Sequence, residues 1–84
     1  MRHFTSPDFW RRFSQLPADT QKLARENYEL LKANPRHPSL HLKKAKGYWS
    51  VRIGLGYRAL GKSVDDGILW GWIGPHDEYT KILS

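Results

Sequence analysis

At Asn34-Pro35 the sequence changes period, and that break constrains the fold more than any other feature of the chain. Before it, apolar residues recur at helical spacing. After it, short runs of β-branched and aromatic residues are cut apart by glycine, the texture of strands. Proline also pushes the preceding residue out of helical geometry, so a helix arriving from the N-terminal side stops near Ala33.

The N-terminal third predicts two helices. Ser6-Pro7-Asp8 supplies an N-cap, a proline suited to the first helical position and an acid in the first turn; Phe9, Phe13 and Leu16 follow at i, i+4 and i+7. Pro17 interrupts, and Leu23, Ala24, Tyr28, Leu30 and Leu31 carry a second helix from Ala18 to Ala33. Arg2–Thr5 has room for only a short strand, and residues 36–39 read as linker. Tyr48–Ile53, Tyr57–Lys62 and Ile68–Ile73 read as an antiparallel meander, with Asp65-Asp66-Gly67 as a turn. Leu40–Lys44 reads equally as a further strand or an extended lead-in. Pro75 to Ser84 suits a short helix with Asp77 and Glu78 in its first turn. The expected architecture is α+β: two N-terminal helices packed on one face of a small antiparallel β-sheet, a short C-terminal helix and an open second face, in a single domain spanning residues 1–84.

Composition narrows the chemistry. With 84 residues and no cysteine, the chain has a small core, no disulfide framework and no thiolate metal site or nucleophile. Any reaction must use His, Tyr, Lys, Arg or carboxylates. The longest uncharged run, Gly67 to His76, is far shorter than the roughly 18 apolar residues of a membrane span, so a soluble, cytoplasmic protein is expected.

Charge is distributed unevenly. Residues 1–32 hold 6 basic and 4 acidic groups, residues 33–62 hold 7 basic and none acidic, and residues 63–84 hold 1 basic and 4 acidic. The middle block, Arg36, Lys43, Lys44, Lys46, Arg52, Arg58 and Lys62, cannot neutralise itself locally and will attract a polyanion or an acidic protein. A basic run can also be no more than a solvated face.

Three constellations carry candidate chemistry. If Gly54-Leu55-Gly56 is a three-residue loop, Ile53 pairs with Tyr57 and Arg52 stands opposite Arg58. Two opposed cations destabilise a sheet unless an anion such as phosphate sits between them. A two-residue loop would instead send them to opposite faces, and each arginine could also reach solvent or a C-terminal acid. Second, Tyr48, Trp49, Tyr57, Trp70 and Trp72 crowd the strands. Alternation requires about half of them to face the helices as core, leaving the others as stacking platforms for bases. Third, His76 and Tyr79 are three apart beyond the last strand and share a helical face, where a histidine can exchange a proton and a tyrosine can stack or donate. His3, His37 and His41 lack metal-ligand spacing, and no metal is assigned.

The runs Tyr48-Trp-Ser-Val-Arg52, Gly56-Tyr57-Arg58-Ala-Leu60 and Trp72-Ile-Gly74-Pro-His76-Asp-Glu-Tyr79, with the two-helix start, resemble the RelE/ParE superfamily of type II toxins. The resemblance implies two helices on an antiparallel sheet. It further implies a ribosome-dependent, metal-free mRNA endonuclease without a cofactor, which uses the RNA 2′-hydroxyl as nucleophile and forms a hetero-oligomer with an acidic antitoxin. Relatives of the ParE kind instead poison DNA gyrase, and a non-catalytic RNA- or antitoxin-binding module is a third reading. Carried onto this chain, Arg58 matches the arginine of the Gly-Tyr-Arg motif, Arg52 a basic residue on the preceding strand, and Tyr79 a C-terminal tyrosine that stacks on a base. His76 falls where many members have arginine or histidine and is the choice for proton transfer. Lys43, Lys44, Lys46 and Lys62 are expected to hold RNA. No glutamate stands on the strands to serve as base, which leaves the acid and base assignments open.

Overall fold

The computed structural model describes residues 2–84. Strand β1 (Arg2–Thr5) leads into helices α1 (Pro7–Phe13) and α2 (Ala18–Ala33); a 3-10 turn at Pro38–Leu40 precedes strands β2 (Lys43–Ala45), β3 (Tyr48–Ile53), β4 (Tyr57–Val64) and β5 (Gly67–Pro75), and helix α3 (His76–Leu83) follows. The start of α1 and both ends of α2 are those the sequence specifies, while α1 itself stops at Phe13, short of Leu16 and the break at Pro17. Ser6 caps α1 by accepting the Phe9 N–H at 3.2 Å, and Asp8 pairs with Arg11 and Arg12 one turn on. At the far end of α2, Asn34 leaves helical geometry at φ −151°, ahead of Pro35.

The sheet corrects one expectation. Its order is β1-β5-β4-β3-β2, and β1 runs parallel to β5, so the sheet is mixed rather than antiparallel throughout. The reason is connectivity: β1 reaches the edge beside β5 only after the chain has crossed the helices and the whole meander, and no hairpin dictates its direction. The lead-in to the meander resolves into the 3-10 turn and the short strand β2, which reaches β3 through Lys46-Gly47. Both residues have positive φ, 51° and 83°, as a two-residue turn matching strand twist requires.

Between the helices and one face of the sheet, Phe9, Phe13, Ala24, Leu31, Val51, Ile53, Ala59, Ile68, Trp70 and Ile73 form the core. Trp70 is buried there, its indole N–H donating to His3 Nδ1 at 3.1 Å, and Trp49 and Tyr57 pack half-buried against the same cluster. Alternation therefore leaves Tyr48, Ser50, Arg52, Arg58, Leu60 and Trp72 to the second face. That face is not wholly open, because α3 folds back over its end and buries Tyr79. Among the described residues no helix is long and apolar enough to cross a membrane.

Candidate active site

The site begins with the β3–β4 hairpin. Ile53 pairs with Tyr57 across Gly54-Leu55-Gly56, and Gly54 takes φ 61°, which a residue with a side chain adopts only under strain. This three-residue loop fixes the register that sets Arg52 against Arg58. Among the described residues neither arginine is in an ion pair. The two like charges are thus held together by the backbone and left without a carboxylate.

Their surroundings differ. Arg58 is 8% exposed. One of its terminal nitrogens donates to Ser50 Oγ at 2.8 Å, its guanidinium lies 4.9 Å above the Tyr79 ring, and its Nε has no partner. Ser50, fully buried, donates in turn to the Tyr79 hydroxyl at 3.3 Å. Arg52 is half-exposed and donates to His41 Nε2 at 3.2 Å. A buried cation with an unsatisfied donor is costly unless something charged completes it, and a phosphate oxygen is the matching acceptor.

Helix α3 brings the third group. The His76 N–H donates to the Gly56 carbonyl at 2.9 Å, which ties the start of α3 to the hairpin tip. His76 thereby shares with Arg52, Arg58, Gly56, Tyr57 and Asp77 an open cleft of about 430 Å³. Three of the four residues singled out for catalysis thus line one cleft. Tyr79 does not: it is 7% exposed, its ring 5.5 Å from that of His76 and turned under Arg58. In this conformation it supports the arginine and offers no free face to a base.

The lysines do not form one patch, because strand alternation separates them. Lys43 pairs with Ser50 and so shares the face of the arginines, as does Lys62, which lies 5.6 Å over the Tyr48 ring. Lys44 pairs with Trp49 and sits 5.7 Å over that ring on the helix side, while Lys46 stands at the β2–β3 turn. Trp72 and Tyr48 remain half-buried on the arginine face. Two further residues of the site, Ser50 and His41, carry no sign in the sequence beyond a small polar residue within a strand and a histidine without metal-ligand spacing. Among the described residues no three His, Asp or Glu side chains gather at one point.

No family model matches the sequence, and no curated protein matches it. Solved structures do. A chain of the RelB–RelE antitoxin–toxin complex from Methanococcus jannaschii superimposes with a TM-score of 0.72 at 18% identity, covering 96% of this chain and 99% of that one. The YoeB/ParE toxin from Agrobacterium tumefaciens gives 0.67 at 18% identity, covering 90% and 99%. The isolated Escherichia coli RelE toxin gives 0.63 at 12% identity, covering 98% and 97%. The fold is that of small α+β toxins with a helical pair on a twisted sheet. More narrowly, it is the RelE/ParE toxin fold, present here over nearly the whole chain.

Proposed function

We propose that the chain is the toxin of a type II toxin–antitoxin pair and acts as a ribosome-dependent, metal-free mRNA endonuclease. The observation that carries this reading is the Arg52–Arg58 pair, held side by side without a carboxylate and opening onto a cleft with His76. The reaction transfers the phosphodiester to the RNA's own 2′-hydroxyl. It needs cations for the extra charge on the phosphorane and a group that moves a proton. Arg58 and Arg52 are always charged and grip phosphate with paired donors, so they take the first role. His76, exposed at the cleft mouth, exchanges the proton. Tyr79 and Ser50 hold Arg58 in place. Lys43 and Lys62 extend the positive field beside the cleft, with Lys46 at the neighbouring turn, to hold ribosomal RNA, whereas Lys44 faces the helix side and stands outside that field. An acidic antitoxin that covers this field neutralises the toxin.

The test is induction in bacteria, mapping the 5′ ends of cellular RNA while pulse-labelling protein and DNA synthesis. Cuts within translated codons, with protein synthesis stopping first and both effects absent in Arg58→Ala, are expected. Intact messages with DNA synthesis stopping first would overturn the nuclease in favour of a gyrase poison. No effect on either would leave a binding module.

A further inference from the structure

His41 combines a left-handed backbone conformation with a side-chain contact to Arg52. It follows the 3-10 turn and lies between Leu40, which is fully buried, and Leu42, which packs against the core, while its own ring is exposed. Its φ is 47°, in the left-handed region that residues with a Cβ seldom occupy. Such strain persists where the surroundings over-determine it, and the two anchored leucines supply that determination.

The strained backbone presents the ring to Arg52, beside the cleft that Arg52 lines. Lys43 pairs with Ser50, and continuing that antiparallel register past the first residue of β2 sets His41 against Arg52. Across the end of the sheet the order is therefore His41 beside β3, Arg52 on β3, Arg58 on β4, and His76 at the end of β5. Two guanidiniums stand in the middle of this row, with an imidazole at each end. A guanidinium only donates, so in the Arg52 contact at 3.2 Å the acceptor is the lone pair of His41 Nε2. Arg52 is the charged group against the ring from β3; along its own connection stand Arg36, His37 and Lys43, and no acid.

On the nuclease reading, which this step presupposes, we infer that His41 is the proton acceptor of the reaction and His76 the proton donor. The proton leaves the 2′-hydroxyl for His41 Nε2 as the 2′-oxygen forms its bond to phosphorus. The bond from phosphorus to the 5′-oxygen breaks, its electron pair goes to that oxygen, and His76 supplies the proton. The products are a 2′,3′-cyclic phosphate and a 5′-hydroxyl. Arg52 has two acceptors to choose between. Without substrate it occupies the His41 lone pair, and when a phosphate draws it away the lone pair is freed, so the base is exposed only when substrate is in place.

The test is single-turnover cleavage of mRNA on ribosomes programmed with a codon in the decoding site, for wild type and His41→Asn across about pH 5 to 9. Asparagine tolerates the left-handed region and its amide oxygen can accept from Arg52, but it does not titrate. His41→Asn is expected to melt and bind ribosomes as the wild type does, to cleave roughly 10²- to 10⁴-fold more slowly, and to lose the limb on which the rate rises with pH. A variant that cleaves at the wild-type rate would overturn the inference and leave the nuclease reading intact. So would a slower variant that keeps the rising limb, since His41 would then only hold Arg52. A wild type that leaves the message uncut on ribosomes would overturn both.

Discussion

Replacing Arg58 by methionine should make the protein more stable and abolish its activity. Arg58 is 8% exposed, has no carboxylate partner among the described residues, and carries an unpartnered Nε. The substitution forfeits the charged hydrogen bond to Ser50, worth about 1.5–3 kcal/mol, and the contact over Tyr79, worth up to about 2 kcal/mol. It also removes a buried cation whose desolvation costs several kcal/mol, an unsatisfied donor costing about 1–3 kcal/mol, and the repulsion from Arg52. Methionine fills a similar volume and adapts to irregular packing. The balance favours Arg58→Met by about 1–3 kcal/mol, in line with other buried charges replaced by apolar residues. One kcal/mol moves Tm by roughly 4–8 °C in a domain of this size. Thermal unfolding followed by circular dichroism, in a buffer free of phosphate and sulfate, should show the variant melting at least about 4 °C higher. Added phosphate should then raise the Tm of the wild type and leave that of the variant unchanged. A variant that melts below the wild type without added anion would refute the reasoning, because the fold itself would then be compensating the charge.

Three further outcomes follow from the same geometry. Burial holds His3 below the ordinary histidine range, with the charge of Lys32 adding, and His3 Nδ1 must be unprotonated to accept from Trp70. The unfolded chain thus takes the proton first, and stability is lost as pH falls through the usual value of 6.5 toward the lowered one. Urea unfolding at about pH 7.5 and 5 should show the wild type losing more stability than His3→Gln. Gly67→Ala would drive its Cβ into the backbone carbonyl of Arg2, detaching β1 at a cost of about 1–3 kcal/mol or more, whereas Gly71→Ala meets nothing nearer than Ser6 Oγ at 3.7 Å. Loss of hydrogen-exchange protection at residues 2–5 in the first variant alone checks this. Lys43→Ala and Lys62→Ala should each lower the salt slope of ribosome binding by about 1, and Lys44→Ala, on the other face, should leave it unchanged.

What was legible in the sequence was what short-range chemistry determines. Ser6-Pro7, Pro17 and Asn34-Pro35 bound the helices because caps and prolines act within a turn. Gly54-Leu55-Gly56 set the Arg52–Arg58 register because a loop's length fixes the pairing on either side of it. Long-range packing left weaker signs. No residue of Arg2–Thr5 reveals that it will lie parallel to β5. The helical spacing of Tyr79 to His76 is visible and suggests an exposed platform, but its burial depends on α3 folding over Ser50 and Arg58. His41 looked idle because its contact with Arg52 depends on β2 docking beside β3, which the ambiguous stretch Leu40–Lys44 did not disclose.

The pairing of β1 with β5 bears on how such a chain is made. Arg2 meets Asp66 and Gly67, so the first strand cannot find its place until more than three-quarters of the chain has been synthesised. The cleft waits longer still, since His76 belongs to the final helix. Contacts this distant in sequence form late in folding. While its own ribosome is still translating it, the nascent polypeptide therefore holds its arginines in an unassembled hairpin. Only when α3 has folded over the sheet do the two arginines and His76 come to line one cleft.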